Sequence, residues 1–196
     1  MFTLILGIAG FALYLLYDIN SYAIHCGVLR AGFAAGTVLI AGGTLLQCVQ
    51  VWRDGAFSGI LDLVLLLLAV LAFGALIYCL FFALPFQDTY SNPVNGRSVY
   101  TCGVYALCRH PGAICFFFMY LFLGLAALPS LLLVNGMVFS ALNFAYVWFQ
   151  DRVTFPKTFC DYEQYRGQVP FLIPNKNSIH RARQTWGRPY KKEEKL

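Results

Sequence analysis

Residues 63–86 read LVLLLLAVLAFGALIYCLFFALPF, an unbroken apolar run that follows Asp62 and carries no charge. Such a run exceeds the roughly 20 residues needed to cross a bilayer core. At that depth no water satisfies the backbone, so the run must be helical. Pro85 and Phe86 are expected to end it. Working outward, four further apolar runs flank it: Phe2–Tyr17, Val28–Val51, Gly112–Leu128 and Leu131–Phe149. Composition agrees. The 196-residue chain is 59% apolar and only 12% charged, where soluble domains have about 25% charge, and its mean hydropathy is +0.64. Too little polar surface exists to cover a water-soluble globule. The expected fold class is all-α: a polytopic membrane helix bundle of about five transmembrane helices.

Asp18, Asn20 and Ser21 are expected to interrupt the first run, with a polar connection after them containing His25 and Arg30. Met1–Tyr17 lacks a basic leader and a small-residue cleavage site, so it reads as the first spanning helix rather than a signal peptide. The second run holds Gly32 and Gly36 in GxxxG spacing, then Gly42 and Gly43, which allows a neighbouring helix close. Asp62 reads as interfacial, and no charge falls in the middle of a run, which argues against an ion-coupled carrier. Only Pro129-Ser130 separates the last two runs, a tight helical hairpin. The fourth run is short, about 26 Å as a helix, so a re-entrant hairpin is the alternative to two spanning helices.

Charge sets the expected topology. Through Phe149 there are four basic and four acidic residues; from Gln150 onward there are ten and five, so the formal +5 lies in the tail. Basic segments beside apolar helices mark the cytoplasmic face and meet anionic lipid. Arg97, Arg109 and the tail are therefore expected inside, with the N-terminus outside and the C-terminus cytoplasmic. No recognition motif accompanies the charge, so nucleic-acid binding is not expected. The domain reading is a bundle over 1–149, with a cytoplasmic loop at 87–111 carrying the turn signals Asn92-Pro93 and Asn95-Gly96. A membrane-surface segment follows over 150–196. Within that segment Asp151–Tyr165 can form an interfacial helix broken or kinked at Pro156, Val169–Pro174 is extended, and Ile179–Leu196 is a loosely ordered basic end. The seven cysteines are odd in number and form no CxxC pair, so neither a disulfide framework nor a metal site is expected. His25, His110 and His180 are isolated.

Chemistry concentrates at Gly103–Pro111, GVYALCRHP, where a polar loop enters a membrane helix. Pro111 suits the first helical turn, and free backbone N–H groups there would favour an anion. Arg109 can pair with a carboxylate or phosphate, and His110 can hydrogen-bond a ligand or shuttle a proton. An Arg-His pair at a cytoplasmic helix end is equally an ordinary positive flank. Asp151 and Arg152 follow the fifth run, and a hairpin brings its two ends together. Asp151 can hold a ligand's ammonium or stand as an end-of-helix charge.

GVYALCRHPG at 103–112, a short hairpin, an acidic residue and then YEQYRGQVPFLIP at 162–174 resemble the membrane methyltransferases related to isoprenylcysteine carboxyl methyltransferase and phospholipid N-methyltransferase. The match covers Gly103–Pro174, a little over a third of the chain. The resemblance implies S-adenosyl-L-methionine as cofactor, with Gly103, Tyr105, Arg109, His110, Pro111, Asp151, Tyr162 and Tyr165 around it. It implies Arg109 and Asp151 as the catalytic pair, Gln168 toward the substrate, no metal, and a membrane lipid or lipid-linked acceptor, a carboxylate or thiol rather than an amine. The tail segment would complete the cofactor site, facing the cytoplasm. The chain departs from the family at Ala113, where an aromatic is usual, at Gln168, where Arg is common, and at Cys160, where Gly is usual. Of the family's acidic pair only Asp151 is acidic. Two other readings stand beside this one: an NADPH-dependent membrane reductase, which shares a helix-end Arg-His-Pro, and a non-catalytic scaffold or partner subunit.

Overall fold

A computed structural model describes residues 1–83, 97–128 and 130–186. The expected helix end at Pro85-Phe86, the turn signals Asn92-Pro93 and Asn95-Gly96, Pro129 and the tail from 187 lie outside the described residues. Among the described residues the chain is all helical, with no strand. The elements are α1 (Phe2–Ile19), α2 (Gly32–Arg53), α3 (Ile60–Ile77), α4 (Val104–Leu107), α5 (Pro111–Ala126), α6 (Leu131–Phe149), α7 (Phe155–Thr158), α8 (Tyr162–Gln168) and α9 (Lys176–Thr185). Wider π-helical turns extend three of them, at Asn20–Ile24, Tyr78–Phe82 and Gln150–Thr154.

Among the described residues four helices are long and apolar enough to cross a membrane: Phe2–Ile24, Val28–Arg53, Ile60–Phe82 and Leu131–Thr158. Pro111–Ala126 is apolar but shorter, about 24 Å at the helical rise. Residues of α3 such as Leu61, Leu63, Leu67, Val70 and Leu71 are exposed, a contiguous apolar surface of the kind that monomers in water rarely carry. Asp62 sits in the first turn of α3, where its carboxylate accepts from the Gly59 N–H at 3.0 Å and suits the positive helix end.

The chain divides into two compact units, Met1–Phe73 with Cys115–Thr154, and Gly74–Ile114 with Phe155 onward. In the first, α1 and α2 meet at glycines. A Cβ on Gly36 would lie 2.6 Å from the Gly10 carbonyl oxygen, and one on Gly10 would lie 2.8 Å from that of Gly36. The expected GxxxG contact is thus made, and its partner on α1 is Gly10. Phe11 packs edge-on to Tyr14 and Phe116 and beside Phe139. Polar groups lie inside: the Asn135 amide donates to Gln47 at 2.8 Å and to Thr3 at 3.1 Å, tying α6 to α2 and α1. The hydroxyls of Thr44 and Tyr120 are 2.6 Å apart.

Three sequence expectations need correction. Asp18, Asn20 and Ser21 do not interrupt the first helix, which continues to Ile24. Each finds a partner that keeps the chain helical. Asp18, 4% exposed, accepts from the Thr154 hydroxyl at 3.5 Å and bonds Tyr146 and Gln150. Ser21 donates to the Asp18 carbonyl, and the Asn20 amide bonds both polar groups of Cys26, closing the helix end. Pro156 does not break its helix either; the stretch from Leu131 runs to Thr158. The π-helical turn at Gln150–Thr154 just before it changes the hydrogen-bond register there, which accommodates a ring lacking its N–H. Finally, Lys176–Thr185 is a helix rather than a loose end. Its Asn175 side chain accepts from the Ser178 N–H at 2.9 Å, and the Ser178 hydroxyl lies 3.0 Å from the Asn175 N–H, a reciprocal cap.

The α1–α2 crossing yields a direct test. Gly36→Ala drives a methyl into backbone and should cost about 1–3 kcal/mol. Gly42→Ala, with nothing within 4 Å of the added carbon, should leave stability unchanged or raise it by up to ~1 kcal/mol. Thermal unfolding of the two variants in detergent checks the difference.

Candidate functional site

The second unit joins the two halves of the sequence motif. Gly103 adopts φ +59° and ψ −126°, a conformation that is essentially glycine's alone, and its N–H donates to the Thr185 hydroxyl at 3.1 Å. The short α4 follows, and Cys108 is extended. That extension aims the next two amides at the C-terminal segment. Arg109 N–H donates to the Pro170 carbonyl at 3.0 Å and His110 N–H to that of Phe171 at 3.3 Å. Pro111 then opens α5, where its missing donor is not needed.

The Arg109 guanidinium reinforces this pairing. Its Nη1 donates to the carbonyls of Arg166 at 2.9 Å and Val169 at 2.6 Å. These are carbonyls at the C-terminal end of α8, where a cation complements the helix dipole. The same group lies 5.6 Å from the centre of the Phe171 ring, within cation–π range. His110 is buried, stacked on Phe155 at 5.8 Å and edge-on to Phe171 at 5.1 Å. Behind it Val99, Phe159, Tyr162, Tyr165 and Val169 form the apolar core of the unit, with Phe155 packed against them.

Two tyrosines of the motif brace it, one to the preceding helix and one between its halves. Tyr105 donates its hydroxyl to the Cys79 carbonyl at 2.8 Å, and Tyr165 donates to the Tyr105 carbonyl at 2.7 Å. Burial pushes the Tyr165 phenol well above its usual range, aided by neighbouring Tyr162, Tyr105 and Cys108, with Arg109 opposing. Tyr165 therefore stays neutral and remains a donor. Gln168 binds α9: its side-chain oxygen accepts from Arg181 Nη1 at 3.2 Å, and its carbonyl accepts from Nη2 of the same residue. Cys160 sends its N–H and its thiol to the Arg97 carbonyl, and Asp161 accepts from the Val99 N–H at 2.8 Å.

Of the residues named from sequence, Gly103, Tyr105, Arg109, His110, Pro111, Tyr162, Tyr165 and Gln168 fall in this unit, and Asp151 in the first. Asp151 is buried within the π-helical turn that follows α6. One expectation is revised. Three backbone donors beside Pro111 that were expected to be free are taken: those of Arg109, His110 and Ala113, by the carbonyls of Pro170, Phe171 and His110. Phe155, Phe171 and Thr185 were missed. The spacing of aromatics around Pro156 and Pro170 is the one signal that could have found the first two; Thr185 left none. The sequence expectation of no metal site is untouched by the finding that no cluster of three His, Cys, Asp or Glu side chains occurs among the described residues. No protein-family model, no curated protein and no solved structure matches the chain.

The clasp predicts a graded response. Arg109→Ala should raise hydrogen exchange at 159–171, since hydrogen bonds to a charged group contribute about 1.5–3 kcal/mol, while Arg109→Lys should keep part of the protection. Because the Tyr165 proton is held more tightly in the folded protein, its stabilisation is full below the usual phenol value of about 10 and is lost as pH rises above it. Exchange in wild type should therefore rise in that alkaline range more steeply than in Tyr165→Phe, which starts from a lower protection at neutral pH.

Proposed function

We propose that the protein is a multi-pass membrane methyltransferase that uses S-adenosyl-L-methionine and acts on a lipid or lipid-linked carboxylate or thiolate. The observation that carries this reading is the joining of the Arg-His-Pro segment to the Arg166–Phe171 segment, two stretches that resemble the same family and are held together here by four hydrogen bonds to backbone. In this reading Pro111–Ala126 also spans, the fourth of five spanning helices in chain order. The N-terminus lies outside, and the motif unit and C-terminus face the cytoplasm.

The residues suit such a cofactor in chemical type. Phe155 and Phe171 are aromatic, the residue type that attracts a sulfonium and stacks on a purine, although His110 stacks on the first and the Arg109 guanidinium lies over the second. The bound cofactor would supply an electrophilic methyl: a carboxylate or thiolate bonds to that carbon as the carbon–sulfur bond breaks, and the electron pair stays on sulfur. An acceptor that is already ionised gives up no proton, so no strong base is required. What the chain contributes is placement. Arg109 acts as a positioning residue, fixing 166–171 against the motif. Gly103 permits the turn, Tyr105 and Tyr165 hold its far side, and Gln168 frames the substrate end. Asp151 has the ammonium-holding role that the family resemblance gives it. A non-catalytic scaffold is the second reading, favoured by the use of Arg109 on backbone carbonyls.

Calorimetry on protein in nanodiscs should show saturable binding of S-adenosyl-L-methionine. Binding should fall at least tenfold in Asp151→Asn and in Phe171→Ala, with folding of each variant verified by its thermal transition. Absence of binding to folded wild-type protein would remove the methyltransferase reading and move the weight to the reductase and scaffold readings.

A further inference from the structure

α9 is two-faced. Ser178 and Ala182 are buried, and Arg181 is drawn to Gln168, so this side fixes the helix to its own unit. The opposite stripe, spaced three and four residues apart, is Lys176, Ile179, His180 and Arg183, all exposed. Trp186 follows the helix 58% exposed, and Ile173 precedes it 84% exposed. The helix contains no Asp or Glu. The acids described elsewhere in this unit are engaged: Asp161 with the Val99 N–H and Glu163 with Arg166 at 2.9 Å. Among the described residues of the unit, no carboxylate is therefore left to offset the positive charge of the stripe, which is interleaved with aliphatic and indole surface.

We propose that this face of α9 docks on the anionic headgroups of a lipid bilayer, with Lys176 and Arg183 meeting phosphate and Ile179 and Trp186 entering the interface. The chemistry favours lipid over a nucleic acid or an acidic protein. Cation and apolar side chains alternate on one helical stripe, the pattern of an interfacial helix, and Trp settles at the headgroup level. Each basic residue near an anionic surface changes the docked-to-undocked ratio about fivefold. The inference rests on the membrane reading and is independent of methyl transfer.

The test uses the full chain in bilayers whose acyl chains carry bromine, which quenches nearby tryptophan. One protein keeps Trp186 alone, with Trp52 and Trp148 replaced by Phe; the other keeps Trp148 alone, on the apolar α6. Trp148 should be quenched in phosphatidylcholine with or without phosphatidylglycerol. Trp186 should be quenched strongly only when phosphatidylglycerol is present. That quenching should fall at raised salt and be lost in Lys176→Glu/Arg183→Glu, with Trp148 unchanged in the same background. Trp186 quenched equally in both bilayers, or in neither while Trp148 is quenched, overturns the docking. Displacement of Trp186 quenching by single-stranded RNA at far below the phosphatidylglycerol concentration overturns it in favour of a nucleic-acid surface. Trp148 unquenched overturns the membrane reading and the docking with it.

Discussion

The Arg109 guanidinium, donating to the carbonyls of Arg166 and Val169, is the interaction on which the second unit depends. α8 is only seven residues long, too short to be stable by itself, and its terminal carbonyls need donors. Arg109 supplies them from its guanidinium fork. Once the guanidinium is seated, the Arg109 and His110 amides face Pro170 and Phe171, and the His110 ring is fixed between Phe155 and Phe171. Arg, His and Pro must be consecutive for this geometry. The first and second amides bind the returning strand of chain, and the third residue, without an amide, starts a helix.

A different constraint governs the first unit. Its outside is apolar and several of its inward-facing groups are polar: Asn135, Gln47 and Asp18 are buried, while leucines of α3 are exposed. Apolar burial cannot drive helices together where the surroundings are themselves apolar. Close packing at small residues and hydrogen bonds between helices do so instead. The Gly10–Gly36 approach and the Asn135–Gln47–Thr3 bonds are those two devices.

How much of this was legible depends on whether the signal was local. The apolar runs were, because hydropathy over some 20 residues reads directly as a helix, and so was the small-residue spacing at Gly32 and Gly36. The interruption expected at Asp18 was wrong because its partners, Thr154 and Tyr146, lie more than a hundred residues away; polarity alone does not reveal a buried bond. At Pro156, where a break or a kink was expected, the helix does not break, and the change of hydrogen-bond register upstream has no sequence mark. α9 was missed although Asn175 and Ser178 bracket its first turn, since weight was placed on the charge of the tail. At the candidate site, adjacency of Arg, His and Pro was visible, but the direction of the Arg109 side chain was not, because its acceptors are backbone atoms that any residue provides.

The use of Arg109 on carbonyls changes what the motif can be evidence for. If the guanidinium holds the fold of the segment, the spacing of Arg-His-Pro and of Tyr-x-x-Tyr reflects a structural demand that an active and an inactive protein would share. The positions outside the clasp then carry more information about chemistry. Two of them are tied to neighbouring chain: Gln168 to Arg181 of α9, and Cys160 to the Arg97 carbonyl. The Arg109 clasp thus bears on the fold of the unit, whereas Gln168 and Cys160 bear on what surrounds the Tyr162–Phe171 segment.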